Sequence, residues 1–158
     1  MITVLALILS SGLLAQARPD FAGTWTFDQQ KSMKPGPDGR VVLAAMLGDD
    51  FVALQTASTL TLRISVQGST VVAVYDLTGA ESENVSPGDI TVTSRASWKG
   101  NTLVIDSVSA GQEEAGKPVT IRSRRVIWID DDGDLLIERT GTPASQVTPS
   151  RSVYRRVR

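Results

Sequence analysis

The sequence predicts an all-β protein: an antiparallel up-and-down β-barrel of about eight to ten strands, with at most one short helix. Two observations carry that expectation. Apolar residues recur at a period of two over most of the chain, and the alternating runs are separated by short turn signals rich in Gly, Asn, Asp and Pro.

The chain opens on an apolar stretch holding Ile2, Val4, Leu5, Leu7, Ile8, Leu9, Leu13 and Leu14 and ending Ala15-Gln16-Ala17. An apolar run with small residues before a cut site predicts a signal peptide over residues 1–17, although no Lys or Arg precedes the run. It is shorter than the roughly 18 to 20 residues a membrane span needs, so no span is expected once it is removed. Residues 18–158 then form a single domain of about 140 residues, enough for one core.

The first strand is expected at Gly23-Thr24-Trp25-Thr26-Phe27-Asp28. Residues 33–39, dense in Pro and Gly, read as a loop, and the segment from Arg40 to Leu47 is the one helical stretch, either plugging a barrel mouth or forming a surface turn. After a strand at residues 50–55 comes the clearest pattern. Leu60, Leu62, Ile64 and Val66 alternate with Thr59, Thr61, Arg63 and Ser65, the pattern of a strand with one buried face. Gln67-Gly68-Ser69 turns this strand into residues 70–77, and residues 78–88 read as a polar loop.

Ile90, Val92, Ala96 and Trp98 alternate in the next strand, which Lys99-Gly100-Asn101 turns into residues 102–108. The longest strand is expected at 119–129, with Val119, Ile121, Ile127 and Ile129 on one parity and Arg122, Arg124 and Trp128 on the other. Residues 135–140 and 150–157 complete a set of about nine strands.

Composition excludes several chemistries. The chain has no Cys and no His, which removes Ser-His-Asp and Cys-His catalysis and ordinary zinc sites. An exported domain without disulfides fits a bacterial envelope, so a periplasmic or secreted location is expected. With 16 basic against 17 acidic residues a nucleic-acid partner is not expected. Basic residues concentrate after Lys117, among them Arg122, Arg124, Arg125, Arg139, Arg151, Arg155, Arg156 and Arg158. They either gather on adjacent strands or stand as solvated outward charges.

The acidic run Asp130, Asp131, Asp132 and Asp134 lacks the Gly and Glu positions of a calcium loop and reads as a hairpin turn, so no metal and no cofactor is expected. Asp76, Glu81, Glu83 and Asp89 surround one loop and are the candidates for carboxylate chemistry, though no set of residues has the spacing of a catalytic device.

Gly23-Thr24-Trp25 resembles the Gly-x-Trp motif of lipocalin-type barrels, in which the tryptophan lies across the barrel floor beneath an arginine from the barrel's end. The resemblance implies that role for Trp25, with Arg155 or Arg156 as its cover. The block from Asp20 to Trp25, the run from Arg95 to Ile105 and the terminal Tyr154-Arg155-Arg156 together resemble small, exported, functionally uncharacterised lipocalin-like proteins of bacteria. The Thr-Asp-Tyr motif of true lipocalins is missing, so ligand carriage is implied by architecture alone.

The expected function is non-catalytic binding of a small, largely apolar ligand, with Leu60, Leu62, Ile64, Val66 and Trp98 as cavity residues. A barrel filled by its own side chains and serving as a scaffold is the alternative, and a carboxylate-based enzyme the third reading. Small residues (Val72, Ala73, Val74, Ala96, Ser97, Ser123), against only three Phe and three Trp, favour a hollow interior.

Overall fold

The computed structural model describes residues 18–33, 45–66, 68–112 and 116–158; the expected leader and residues 34–44 lie outside them. The elements are β1 (Gly23–Phe27), α1 (Gln29–Ser32), β2 (Asp50–Gln55), β3 (Thr59–Val66), β4 (Ser69–Asp76), β5 (Glu81–Ser86), β6 (Ile90–Lys99), β7 (Thr102–Gln112), β8 (Pro118–Ile129), β9 (Leu135–Thr142) and β10 (Ser150–Arg156). The strands pair antiparallel in the order β4-β3-β2-β1-β10-β9-β8-β7-β6-β5. Chain neighbours are therefore sheet neighbours, and β1 joins β10 through Trp25↔Arg156 and Phe27↔Tyr154. The result is an all-β, nearly closed barrel of ten strands with one short helix, the class that the period-two pattern predicts.

Closure between β4 and β5 is made by side chains. No backbone ladder joins these two strands among the described residues. Instead the Asn84 amide takes both backbone groups of Val74, accepting its N–H at 2.7 Å and donating to its carbonyl at 3.0 Å. Ser82 Oγ accepts the N–H of Asp76 at 2.7 Å. A side-chain amide has the donor and acceptor of a peptide group, so Asn84 substitutes for one rung of the missing ladder.

That seam explains a correction. Residues 78–88, read as a polar loop, contain β5. A strand that bonds its neighbour through inward Ser82 and Asn84 has no apolar face, so the alternation that marks the other strands is absent. The helix is also elsewhere. Residues 45–47, the described part of the stretch read as helical, form an irregular turn with Leu47 buried. The helix itself is α1, whose N-cap Asp28 accepts the N–H of Lys31 at 2.9 Å.

Cross-strand register sorts the interior. Leu60↔Tyr75, Leu62↔Ala73 and Ile64↔Val71 face inward on β3 and β4, and Leu103↔Ile127 and Ile105↔Arg125 do so on β7 and β8. One end of the barrel is solid. Phe21, Phe51, Leu60, Leu62, Ile127, Leu135 and Ile137 leave a void of only about 10 Å3 between them. Burial of each such large apolar side chain contributes about 1.5–3 kcal/mol.

Trp25 is fully buried there, its indole N–H donating to the Phe21 carbonyl at 2.9 Å. The Arg156 guanidinium lies 4.5 Å from the Trp25 ring centroid and donates to the carbonyls of Ala22 and Asp20. Arg155 points elsewhere, to an ion pair with Asp28 at 2.9 Å. Gly23 has a φ of +143°, and a Cβ there would stand 2.9 Å from Arg156 Nη1. Glycine is needed two residues before the tryptophan because an L side chain rarely adopts that φ, and its bare Cα also leaves room for the arginine to cross.

Candidate functional site

The bulky aromatic side chains Phe21, Trp25 and Phe51 are spent in the packed core, and the opposite half of the barrel is left with mostly smaller ones beside Tyr75 and Arg125. Its inner wall is built from Ile64 and Val66 of β3, Val71, Ala73 and Tyr75 of β4, Val92 and Ser94 of β6, and Arg125 of β8. Residues 45–49 and the β5 end from Asn84 to Pro87 complete a cavity of about 440 Å3. That volume is within the range of small-molecule sites.

Residues 45–49 are held over the barrel by Tyr154. Its hydroxyl accepts the Leu47 N–H at 2.8 Å and donates to the Gly48 carbonyl at 3.2 Å. Burial pushes the Tyr154 phenol up to about 12, against the opposing pull of the Leu47 hydrogen bond. The phenol is therefore a neutral, fixed bracket at ordinary pH.

The wall is apolar on β3 and β4 and polar at Ser94 of β6 and Arg125 of β8. Arg125 donates to the Tyr75 hydroxyl at 3.0 Å. Arg139 stands directly opposite it in the β8–β9 register. The buried Nε atoms of both arginines have no hydrogen-bond partner, and no carboxylate lies within ion-pair distance of either among the described residues. Burial, and then the neighbouring Arg125 charge, lower the pKa of Arg139 from the usual arginine range. Buried hydroxyls continue this polar side: Ser94 and Ser107 share a hydrogen bond at 2.9 Å.

Of the residues expected to line a cavity, Ile64 and Val66 do. Leu60 and Leu62 lie in the packed end instead, and Trp98 stacks on Phe21 with ring centroids 5.7 Å apart, beneath the Arg18 guanidinium. Among the small residues counted toward a hollow interior, Ala73 and Ala96 are buried inside, whereas Val72, Val74 and Ser97 are exposed on the outer face.

The four carboxylates around the β4–β5 connection do not converge. Asp76 accepts the hydroxyl and N–H of Thr78 and the N–H of Ala80, bonds that hold its carboxyl below the usual range. Glu81 pairs with Arg95 at 3.5 Å, and none of Asp76, Glu81, Glu83 and Asp89 lines the cavity. In the acidic turn, carboxylate oxygens of Asp130, Asp132 and Asp134 lie within 4.8 Å of one another. The Lys31 ammonium bridges two of them, 2.5 Å from Asp134 and 3.3 Å from Asp132.

Sequence reading missed Asn84 and did not single out Arg125 and Arg139 from the other arginines; the mouth-plugging alternative for residues 40–47 agrees with the place of residues 45–47, though not as a helix. One signal was present: Arg125 shares the parity of Ile121 and Ile127, and hence their inner face.

No family model and no curated protein matches the chain. Among solved structures it is similar to a REP1-NXSQ fatty acid transporter, at 14% identity and a TM-score of 0.57 over 87% of this chain and 96% of that one. It is also similar to apo Caenorhabditis elegans lipid binding protein 8, at 12% identity and a TM-score of 0.56 over 87% of this chain and 95% of that one. At such identities the likeness is one of fold: a ten-stranded, nearly closed antiparallel barrel with lipocalin-like architecture.

Proposed function

We propose that this barrel binds and shields a small, largely apolar molecule without transforming it. The observation that carries the reading is the cavity of about 440 Å3 above a solid floor, apolar along Ile64, Val66, Val71 and Ala73. Desolvation of an apolar body against these side chains supplies the driving force, and Arg125 and Ser94 supply one polar end. The names of two proteins with similar folds, a fatty acid transporter and a lipid binding protein, support this class of ligand. A fold alone does not carry function, so the cavity is the stronger support. The apolar leader ending at Ala17 supports a place of action in the periplasm or outside the cell.

Titration with an environment-sensitive apolar dye, followed by competition with fatty acids and isoprenoids, tests this. Saturable micromolar binding is expected, and Ala73→Trp, which places an indole in the cavity, should abolish it. A barrel that binds no dye, or binds it equally well with the cavity filled, is a scaffold.

A further inference from the structure

The strongest unexplained feature of the interior is a pair of like charges. Arg125 and Arg139 face inward, opposite one another on β8 and β9, and neither has a carboxylate partner among the described residues. Their buried Nε atoms are unsatisfied. Three arginines elsewhere in the barrel are matched to acceptors: Arg124 holds Asp106 at 2.7 Å, Arg155 holds Asp28 at 2.9 Å, and Arg156 donates to two carbonyls. Arg151 also has a buried Nε without a partner, but it stands opposite Glu138 in the β9–β10 register, not opposite another arginine. Holding two half-buried guanidinium groups side by side, each with its Nε out of water, is unfavourable unless an anion completes the arrangement.

The geometry points to an interior anion site at Arg125 and Arg139 that takes the doubly charged head of a phosphate monoester whose apolar tail fills the cavity. This rests on the binding function proposed above and names its ligand class. A phosphate monoester carries about −1.5 to −2 at pH 7, which neutralises both guanidinium groups; a carboxylate leaves one half-buried positive charge uncompensated. Its three terminal oxygens also match the donors at hand, since guanidinium groups bind phosphate in a fork and the Tyr75 and Ser94 hydroxyls line the same cavity. The acid among the described lining residues, Asp49, is exposed at the rim.

Two measurements test the site. In the first, decyl phosphate, decanoate and decanol compete for the dye site at about pH 7. Decyl phosphate should bind at least about tenfold tighter than decanoate and tighter still than decanol, a margin of roughly 1.4 kcal/mol per tenfold. Arg139→Gln should collapse that preference, whereas Arg122→Gln on the outer face should leave it. If Arg139→Gln fails to fold, Arg139→Lys, which keeps one charge but loses the fork, should reduce it.

In the second, inorganic phosphate is titrated while the arginine Nε–H resonances are followed, and those of Arg125 and Arg139 should shift together and saturate. Equal binding of phosphate and decanol overturns the anion site while leaving the apolar cavity reading intact. Decanoate binding as tightly as decyl phosphate overturns the dianion assignment. Phosphate shifts at both arginines without decanol binding uphold the anion site and defeat the apolar reading. If inorganic phosphate leaves both resonances unmoved and no decyl compound binds, both fall.

Discussion

The guanidinium of Arg156, the last residue of β10, lies 4.5 Å from the ring centroid of Trp25 at the centre of β1. This contact joins the two ends of the described barrel, and the β1–β10 register places the same two residues opposite each other. Arg156 also donates to the carbonyls of Ala22 and Asp20, so one side chain caps the floor and fixes the approach to the first strand.

Removing the ring should therefore be severe. Trp25→Ala should cost about 3–5 kcal/mol in denaturant unfolding, the range for a large buried aromatic. Arg156→Ala, which removes a stacked charge from an exposed position, should cost about 0.5–2 kcal/mol. A Trp25→Ala loss under about 1 kcal/mol would show that the floor does not depend on this residue.

At the seam between β4 and β5, Asn84→Ala leaves the N–H and carbonyl of Val74 without their partner. A loss of about 0.5–1.5 kcal/mol is expected, since water can reach the freed groups, together with faster amide exchange at Val74. The freed strand edge should also raise self-association, measurable by light scattering. Unchanged exchange at Val74 would mean that the seam is closed by other contacts.

Acid should erode stability through Asp106. The Arg124 guanidinium, bonding at 2.7 and 2.9 Å, holds this carboxyl below its ordinary value of 3.8. Since the folded value is depressed, the stabilisation is complete above the unfolded value and is lost as pH falls through the folded one. Asp106→Asn should flatten that part of the unfolding midpoint's acid limb, and an unchanged slope would show that the pair contributes nothing.

The acidic turn should behave as a turn. Asp130 Oδ1 accepts the N–H groups of Asp132 and Asp134, each at 3.0 Å, and Lys31 bridges the outer carboxylates. Chelator should leave the melting temperature unchanged, and a calcium-dependent rise of several degrees would overturn this reading. The hydrogen bonds to Asp134 and then Asp132 raise the Lys31 pKa above 10.5. The stabilisation from this bridge is present below that value and is lost as pH climbs through the raised one.

Export is tested by mass. Protein recovered from the cell envelope or medium should begin at or near Arg18, and full-length material confined to the cytosol would refute the leader.

Much of this architecture is legible from residue order because strand pleating imposes a period of two on burial. Leu60, Leu62 and Ile64 show it plainly, and the Gly-containing turns at Gly68, Gly100 and Gly133 mark where the chain reverses, each at positive φ. β5 escaped because its inner positions are the polar Ser82, Asn84 and Ser86, of which Ser82 and Asn84 bond a neighbouring strand's backbone.

The sequence by itself determined the strand pattern, the near-sequential pairing and the absence of thiol and imidazole chemistry, since these depend on local alternation, turn residues and composition. Tertiary structure alone decided which half of the interior is solid. Leu60 and Ile64 lie on the same face of one strand, yet the first meets the packed floor and the second a cavity, because barrel curvature brings Phe21, Phe51 and Ile137 to one end only. It also decided the company of Arg125. Parity places that side chain inward, but only the β8–β9 register sets Arg139 beside it and leaves both guanidinium groups without a carboxylate within reach.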